Sequence, residues 1–230
     1  MRFFKNSQNH YKILCGDSML DKLLKFGQKH YDFCEYKVKD IDKSCCDNEE
    51  CKVIDFDRVK EKVVSLHSLR TISSCDGLKI CCKDQRIDFI EMKGFKEFKT
   101  RNEVTSKKID SQVKKFDFEK KIKDSYFLLQ TIINSSNFNV KKEDYRQFEN
   151  TLKRYFIVTD IQIEQNGIET IAFTLEFLAN VSNIDKNIQM CLQNKIDEIE
   201  QCFLVEKPKL VGCDEICKLL CESEIENDRN

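Results

Sequence analysis

The amino-acid sequence predicts an α/β (α+β) protein in which a central mixed β-sheet is flanked by helices. Segments with helical spacing alternate with short runs rich in β-branched and aromatic residues, as expected for such a fold. Hydrophobic residues make up 40% of the 230 residues and include 17 Phe, enough for a packed interior. One Pro and six Gly interrupt the chain, which favours long regular elements. No change in composition marks a boundary, so we expect a single domain over residues 1–230.

The amino-terminal part is predicted to contain two helices. Ser18 is a suitable N-cap for a short helix, and Gly27 is expected to end it. The aromatic-rich stretch from Tyr31 to Val38 favours a strand, and the polar residues 39–50 favour a loop. Apolar residues then recur on one helical face from Asp55 to Leu66, which predicts the second helix.

The middle of the chain predicts a β-hairpin. Two β-rich runs, Leu78 to Cys82 and Ile87 to Lys93, are separated by a short polar turn at residues 83–86. A polar stretch with helical spacing continues from there to Ile133 and predicts one long helix or two.

The carboxy-terminal part predicts a second hairpin and C-terminal helices. The Asn-Gly dipeptide at 166–167 lies between two apolar runs, Arg154 to Gln165 and Ile168 to Phe177, and is a strong hairpin signal. An amphipathic helix is predicted from Ile184 to Phe203, and a last helix is predicted to begin near Asp214.

Side chains able to carry chemistry cluster at the end of the first predicted hairpin. Glu91 and Lys93 are two residues apart on a strand and project from the same face. Asp76 begins the neighbouring strand, and antiparallel pairing would bring it next to Glu91. Two carboxylates held in this way suit a hard divalent cation such as Mg²⁺. Lys93 would be placed to orient or deprotonate a water molecule, or to stabilise charge on a phosphoryl group.

This arrangement resembles the PD-(D/E)xK nuclease superfamily, whose restriction-endonuclease-like core is a helix, a three-stranded meander, a helix and a further strand. The resemblance covers residues 55–163 as the nuclease-like core. Residues 1–54 would be an amino-terminal addition, and residues 164–230 would supply a β-hairpin strand and C-terminal helices. The resemblance implies that Asp76 and Glu91 are metal ligands and that Lys93 is the catalytic lysine.

Other positions match or depart from the pattern of the family. Some branches place a Gln and then an aromatic residue on the next helix, and Gln112 resembles that Gln, which would add it to the catalytic group. Cys75 stands where the family frequently has Pro before the first acid. A further acid or His is often present on the first helix, and Glu61 and His67 are equal candidates for that third metal ligand.

The resemblance implies a Mg²⁺- or Mn²⁺-dependent endonuclease that hydrolyses phosphodiester bonds, acts on DNA in preference to RNA, and serves restriction, defence or repair. A homodimer is compatible with it.

Residues 93–123 carry eleven Lys or Arg against five Asp or Glu, a net charge of +6, whereas residues 197–230 carry four against ten. The lysines expected to contact backbone phosphates are Lys107, Lys108, Lys114 and Lys115.

Other classes of function stay open from the sequence. Asp76, Glu91 and Lys93 can also be interpreted as a turn and a solvated strand end. In that case we expect a non-catalytic interaction protein that binds a polyanion. Zinc would stabilise it through four cysteines, although their spacing departs from common zinc modules: Cys34, Cys45, Cys46 and Cys51. The third hypothesis is an RNA-cleaving nuclease with the same centre.

The sequence shows no export signal and no apolar run of about 20 residues that would cross a bilayer. We therefore expect a cytoplasmic protein without membrane contact.

The cysteines number 13, which is odd, and they are expected to be reduced and mostly to pack as small apolar side chains.

Overall fold

The computed structural model describes residues 18–42, 44–70, 72–100, 104–163, 184–200, 203–204 and 206–225, without the side chains of 221–225. The strands in this part of the chain are β1 (Glu35–Lys37), β2 (Lys52–Asp55), β3 (Gly77–Cys81), β4 (Arg86–Lys93), β5 (Leu152–Thr159) and β6 (Lys209–Gly212). The α-helices are α1 (Met19–His30), α2 (Phe56–His67), α3 (Lys96–Thr100), α4 (Ser106–Val113), α5 (Phe118–Ile133), α6 (Lys142–Asn150), α7 (Ile184–Asp197) and α8 (Ile216–Ile225).

The strands form one mixed sheet in the order β1-β2-β3-β4-β5-β6. Strands β1 to β4 are antiparallel neighbours, whereas β5 runs parallel to β4 and β6 runs parallel to β5. Leu78 lies opposite Phe89 between β3 and β4, and Glu91 lies opposite Ile157 between β4 and β5. The predicted hairpin and the predicted mixed sheet are both confirmed.

Helices and loops cover both faces of the sheet. Successive residues of β4 point to opposite sides, and those on both sides are buried. Phe89 joins the larger core, together with apolar residues of α1, α2, α4, α5, α6 and α7. Ile90 and Met92 join a smaller core on the other side, formed with α8 and with the segment that precedes β2. Glu91 and Lys93 share the face of Phe89, so they point towards the larger helical layer.

The first helix begins as predicted but ends later. Ser18 Oγ accepts a hydrogen bond from the backbone N–H of Asp21 at 3.2 Å, which caps α1. The prediction that Gly27 ends this helix is wrong, because α1 continues to His30. A Cβ on Gly27 would lie 2.3 Å from the ring of Phe33, so glycine serves a close approach of the chain instead.

The segment between β4 and β5 is more divided than predicted. Three helices, α3, α4 and α5, take the place of the one or two that were predicted. Thr105 and Asp117 are the N-caps of α4 and α5, and their side chains accept hydrogen bonds from the backbone N–H groups of Lys108 and Lys120. Helix α6 and strand β2 were not predicted. The buried side chains of α6 include Asp144, so the apolar pattern is weak, and β2 is four residues long.

The carboxy-terminal predictions are met in part. Strand β5 corresponds to the run that begins near Arg154, and α7 and α8 correspond to the two predicted helices. The hairpin at 166–167 and its second strand lie outside the described residues. Within the described ranges, no helix combines the length and the apolar character needed to cross a bilayer.

Candidate functional site

The structure brings Asp76, Glu91 and Lys93 together at one end of β3 and β4. The antiparallel register places the residue before β3 beside Glu91. Asp76 Oδ2 accepts a hydrogen bond from the backbone N–H of Met92 at 2.6 Å, which holds this carboxylate against β4. Lys93 Nζ lies 4.0 Å from Asp76 Oδ2 and donates a hydrogen bond to Glu91 Oε1.

A second lysine, Lys121, reaches the same cluster from α5. Its Nζ lies 2.7 Å from Glu91 Oε1 and 3.5 Å from Asp76 Oδ1. Lys121 was not predicted from the sequence, because the E-x-K spacing describes a single strand. A usable signal in the sequence is that Ser125, one helical turn after Lys121, is the polar exception on a face of apolar residues at helical spacing, Phe118, Ile122 and Leu129. In the structure its Oγ accepts a hydrogen bond from Cys75 N–H at 2.8 Å. That contact identifies the face of α5 that meets the start of β3.

The acids are buried, and the lysines form the open side of the cluster. Glu91 is 0% and Asp76 is 3% exposed, whereas the side chains of Lys93 and Lys121 are 16% and 27% exposed. Burial, followed by the charge of Asp76, raises the pKa of Glu91 against the opposing effect of the two lysines. Burial alone would lower the pKa of Lys121, but the attraction of Glu91 and Asp76 outweighs it and raises that pKa.

Two buried oxygen atoms at this end of the sheet have no hydrogen-bond partner among the described residues. They are Glu91 Oε2 and Thr159 Oγ1. Thr159 is the neighbour of Lys93 in the parallel register of β4 and β5, so both side chains point to the same face. Buried polar atoms are nearly always paired, since leaving one unpaired costs free energy. Both oxygens therefore keep acceptor capacity that the described residues do not use.

Asp57, in the first turn of α2, is a further acid near the cluster. Its Oδ1 accepts hydrogen bonds from Ser74 Oγ and Lys60 Nζ, both at 2.5 Å. Burial raises the pKa of Asp57, but these two hydrogen bonds and the positive charges of Lys60 and Lys121 outweigh it and lower that pKa. Asp57 is thus the acid of α2 whose charge interacts with Lys121.

The two candidates for a third ligand lie at different positions along α2. Glu61 is exposed one helical turn after Asp57, and its role as a ligand stays a prediction. His67, at the far end of α2, hydrogen-bonds to the hydroxyl of Tyr31 at 2.9 Å and stacks on its ring. Asp57 and His67 are ten positions apart on the helix, a distance of about 15 Å, which explains why the imidazole does not reach the acids.

Of the predicted pair of a Gln and an aromatic residue, only the aromatic residue, which follows α4, reaches the site. Phe116 lies beside Lys93, with 5.2 Å between the lysine Nζ and the ring centroid. Gln112 is half-buried, and among the described residues its side chain makes no hydrogen bond to Asp76, Glu91 or Lys93. The role of Gln112 therefore stays a prediction. The lysines expected to contact phosphates are all exposed: Lys107, Lys108, Lys114 and Lys115.

Cys75 has a structural role that a proline could not fill. Its N–H donates to Ser125 Oγ at 2.8 Å, and proline has no N–H to donate. Cys75 is fully buried, and burial raises the pKa of its thiol, which keeps it neutral.

The cysteines are grouped differently from the expectation. Cys46 forms a disulfide bond with Cys213, which follows β6, so the prediction of reduced cysteines is wrong for this pair. Burial, followed by the charge of Asp160, raises the pKa of Cys45 to about 12. Cys34 is exposed. The four cysteines predicted as a zinc site do not converge, because the loop before β2 meets the end of β6 instead.

Comparisons of this chain with protein-family models, with curated proteins and with solved structures find no match. The interpretation of the site therefore depends on its geometry and chemistry. The resemblance to PD-(D/E)xK nucleases, which was drawn from Asp76, Glu91 and Lys93, stays a prediction.

Proposed function

We propose that the chain is a metal-dependent nuclease whose centre is formed by Asp76, Glu91, Lys93 and Lys121. The observation that carries this proposal is the convergence of two buried carboxylates and two ammonium groups, with Lys93 4.0 Å from Asp76 and Lys121 2.7 Å from Glu91. A purely structural ion-pair network is expected to pair its buried oxygens. Glu91 Oε2 instead has no partner in the described part of the chain.

Asp76 and Glu91 fit a hard divalent cation such as Mg²⁺ or Mn²⁺. Mg²⁺ is usually held by one or two carboxylates and keeps several water molecules. Glu91 Oε2 offers unpaired acceptor capacity, and Asp76 Oδ1 faces Lys121 at 3.5 Å, longer than a strong hydrogen bond. When bound, such a cation would polarise a phosphoryl oxygen and make a coordinated water more acidic.

Lys93 and Lys121 are the groups placed to meet the substrate. Each ammonium group has three donors, so contact with Glu91 leaves donor capacity for phosphate oxygens. Lys93 is also held by the backbone carbonyl of Met92 at 3.0 Å and by the ring of Phe116. These contacts keep its Nζ at the open side of the site, where it can orient an attacking water and stabilise charge that develops on the phosphoryl group.

The sheet supports the finer assignment to a restriction-endonuclease-like core. Strands β2, β3 and β4 are successive antiparallel neighbours, and β5 returns parallel to β4 after helices α3 to α6. Asp76 directly precedes the second of these strands, and Glu91 and Lys93 end the third. Helix α2 between β2 and β3 departs from the continuous meander of the family.

Nucleic acid is the inferred substrate because the exposed lysines of the α4 region lead to the centre. Lys114 and Lys115 directly precede Phe116, whose ring contacts Lys93. A polyanion bound along these lysines would place phosphates near the acids, with an affinity that falls as salt increases. DNA is favoured over RNA, and restriction, defence or repair is favoured as the role, on the resemblance alone.

A cleavage assay on matched DNA and RNA substrates, with Mg²⁺, with Mn²⁺ or with EDTA, tests this function. We expect metal-dependent cutting of DNA by the wild-type chain. Glu91→Gln and Lys93→Ala should each reduce the rate by at least about 100-fold, because each removes a group that acts on the reacting phosphate. Glu143→Gln is the matched control, because Glu143 is an exposed acid of α6, before the start of β5, whereas Glu91 lies beside Ile157 near the other end of that strand.

The outcomes of this assay separate the three hypotheses. Cutting of RNA but not DNA would favour the RNA-cleaving enzyme. Binding of a polyanion with no cutting under any metal condition would favour the non-catalytic interaction protein. Cutting that both centre variants retain at the wild-type rate would contradict the proposed site.

A further inference from the structure

A second group of reactive side chains lies near the other face of the sheet. Cys45 and Cys46 belong to the loop before β2, and Cys213 follows β6. Cys45 Sγ lies 4.0 Å from Cys46 Sγ and 3.5 Å from Cys213 Sγ. All three side chains pack with the smaller core, which Met92 joins from β4. Three sulfur atoms from opposite ends of the chain therefore share one small volume.

We propose that Cys45, Cys46 and Cys213, in the reduced state, form a binding site for a thiophilic divalent cation such as Zn²⁺. In a tetrahedral zinc–thiolate site the Zn–S distance of about 2.3 Å places neighbouring sulfur atoms about 3.8 Å apart. The two distances from Cys45 lie on either side of that value. Sulfur ligands select zinc over Mg²⁺, so this site is chemically distinct from the carboxylate centre.

The disulfide bond defines the state in which the cation binds. A dithiol reductant supplies two electrons and two protons, the Cys46–Cys213 bond breaks to give two thiols, and the reductant becomes its own disulfide. Binding of the cation then releases the three thiol protons to solvent. The oxidised chain lacks two of the three ligands and should not bind the cation.

The surroundings hold the three sulfur atoms in place without the cation. Cys45 Sγ donates to the backbone carbonyl of Val158 at 3.6 Å, and the N–H of Cys213 donates to the carbonyl of Thr159 at 3.0 Å. Gly94 leaves room for Cys45, because a Cβ there would lie 3.2 Å from the Cβ of Cys45. Pre-positioned ligands reduce the ordering cost of binding. The fourth coordination position would be taken by a water molecule.

Cobalt binding to the full-length chain tests this site. The protein is reduced with a dithiol, freed of reductant under argon and titrated with Co²⁺, whose thiolate charge-transfer absorption reports bound sulfur. We expect one equivalent, displaced by Zn²⁺. Cys45→Ser should weaken Co²⁺ binding by more than about 100-fold. Loss of a residue that only supports a metal ligand usually weakens binding by about 10- to 100-fold, so the larger effect identifies Cys45 as a ligand. Cys34→Ser is the matched control, because Cys34 is exposed and apart from the cluster.

The expected pattern also includes loss of the absorption after oxidation and its retention in Glu91→Gln, which affects the other centre. No charge-transfer absorption in the reduced wild-type chain would overturn the proposal. Undiminished absorption in Cys45→Ser would overturn it equally.

A second measurement needs no variant and covers the case in which Cys45→Ser does not fold. The reduced wild-type chain is alkylated with and without Zn²⁺, and the modified cysteines are mapped by mass spectrometry. Zn²⁺ should slow the modification of Cys45, Cys46 and Cys213 by at least about tenfold and leave Cys34 unaffected. Equal rates with and without Zn²⁺ at all three cysteines would overturn the site.

Discussion

At the scale of single residues, the hydrogen bond from Cys75 N–H to Ser125 Oγ, at 2.8 Å, ties the start of β3 to α5. Both residues are buried, so Ser125→Ala leaves a buried N–H unpaired and should reduce the free energy of unfolding by about 1–3 kcal/mol. Ser135→Ala is the matched control, because Ser135 Oγ is buried without a partner in the described residues. Urea unfolding measures both changes, and equal losses would contradict the assigned role of Ser125.

The residues of the candidate centre differ in whether the sequence could predict them. Glu91 and Lys93 were found because strand residues two apart share a face, and Asp76 was found because a hairpin brings its two ends together. Lys121 and Asp57 were missed because their approach depends on how α5 and α2 are rotated against the sheet. That rotation is set by packing between distant segments, which a local pattern does not encode.

At the scale of elements, Lys153 joins the end of α6 to the start of β5. Its Nζ donates to the backbone carbonyls of Phe148, Glu149 and Thr151 at 2.7, 3.0 and 2.9 Å. These carbonyls belong to the helix end and the turn after it, where backbone acceptors lack helical partners. The Lys153 side chain therefore holds the end of α6 against the start of β5.

Burial of Lys153 predicts a pH dependence of stability. Burial lowers the pKa of Lys153 from 10.5 to about 8. Below about pH 8 both the folded and the unfolded chain hold this proton, and burial of the charge lowers the free energy of unfolding. Between about pH 8 and pH 10.5 only the unfolded chain holds it, so this cost is removed and the free energy of unfolding rises with pH across that range. Lys153→Met should remove this rise. Urea unfolding of both proteins across that range measures this change. A difference in the free energy of unfolding between the wild type and Lys153→Met that stays constant with pH would contradict the prediction.

The elements also differ in how well the sequence predicts them. The hairpin of β3 and β4 was predicted because its strands are apolar runs on both sides of a polar turn. Helix α6 was not, because its buried residues include Asp144, which accepts a hydrogen bond from Lys22 of α1 at 2.7 Å. Helix α6 has nine residues, of which only Tyr145 and Phe148 are large and apolar, so its apolar face is too short to be recognised in the sequence.

At the scale of the whole molecule, charge is concentrated where nucleic acid is expected to bind. Each lysine that contacts a phosphate should make the slope of log affinity against log salt more negative by about 0.9. In the Glu91→Gln background, changing Lys107, Lys108, Lys114 and Lys115 to Gln should make that slope less steep and weaken DNA binding. Lys83 and Lys142, exposed on other elements, provide the control pair. Fluorescence anisotropy at several salt concentrations measures the slopes, and equal slopes in both variants would contradict the binding surface.

The arrangement of the whole chain was predicted in outline. Alternating helical and β-rich segments indicated a mixed sheet between helices, and the sheet has that form. The meeting of the loop at 44–46 with Cys213 was not predicted, since it joins segments 167 residues apart. Long-range contacts of this kind depend on the order of strands in the sheet, which local periodicity leaves open.

The claim that Asp76 and Glu91 together hold a divalent cation is tested most directly by a crystal structure of the full chain grown with Mn²⁺. An anomalous difference map would locate the ion. We predict a peak about 2–2.5 Å from a carboxylate oxygen of each acid, with Lys93 beside it. A map in which both side chains are well ordered and no peak lies between them would contradict the account.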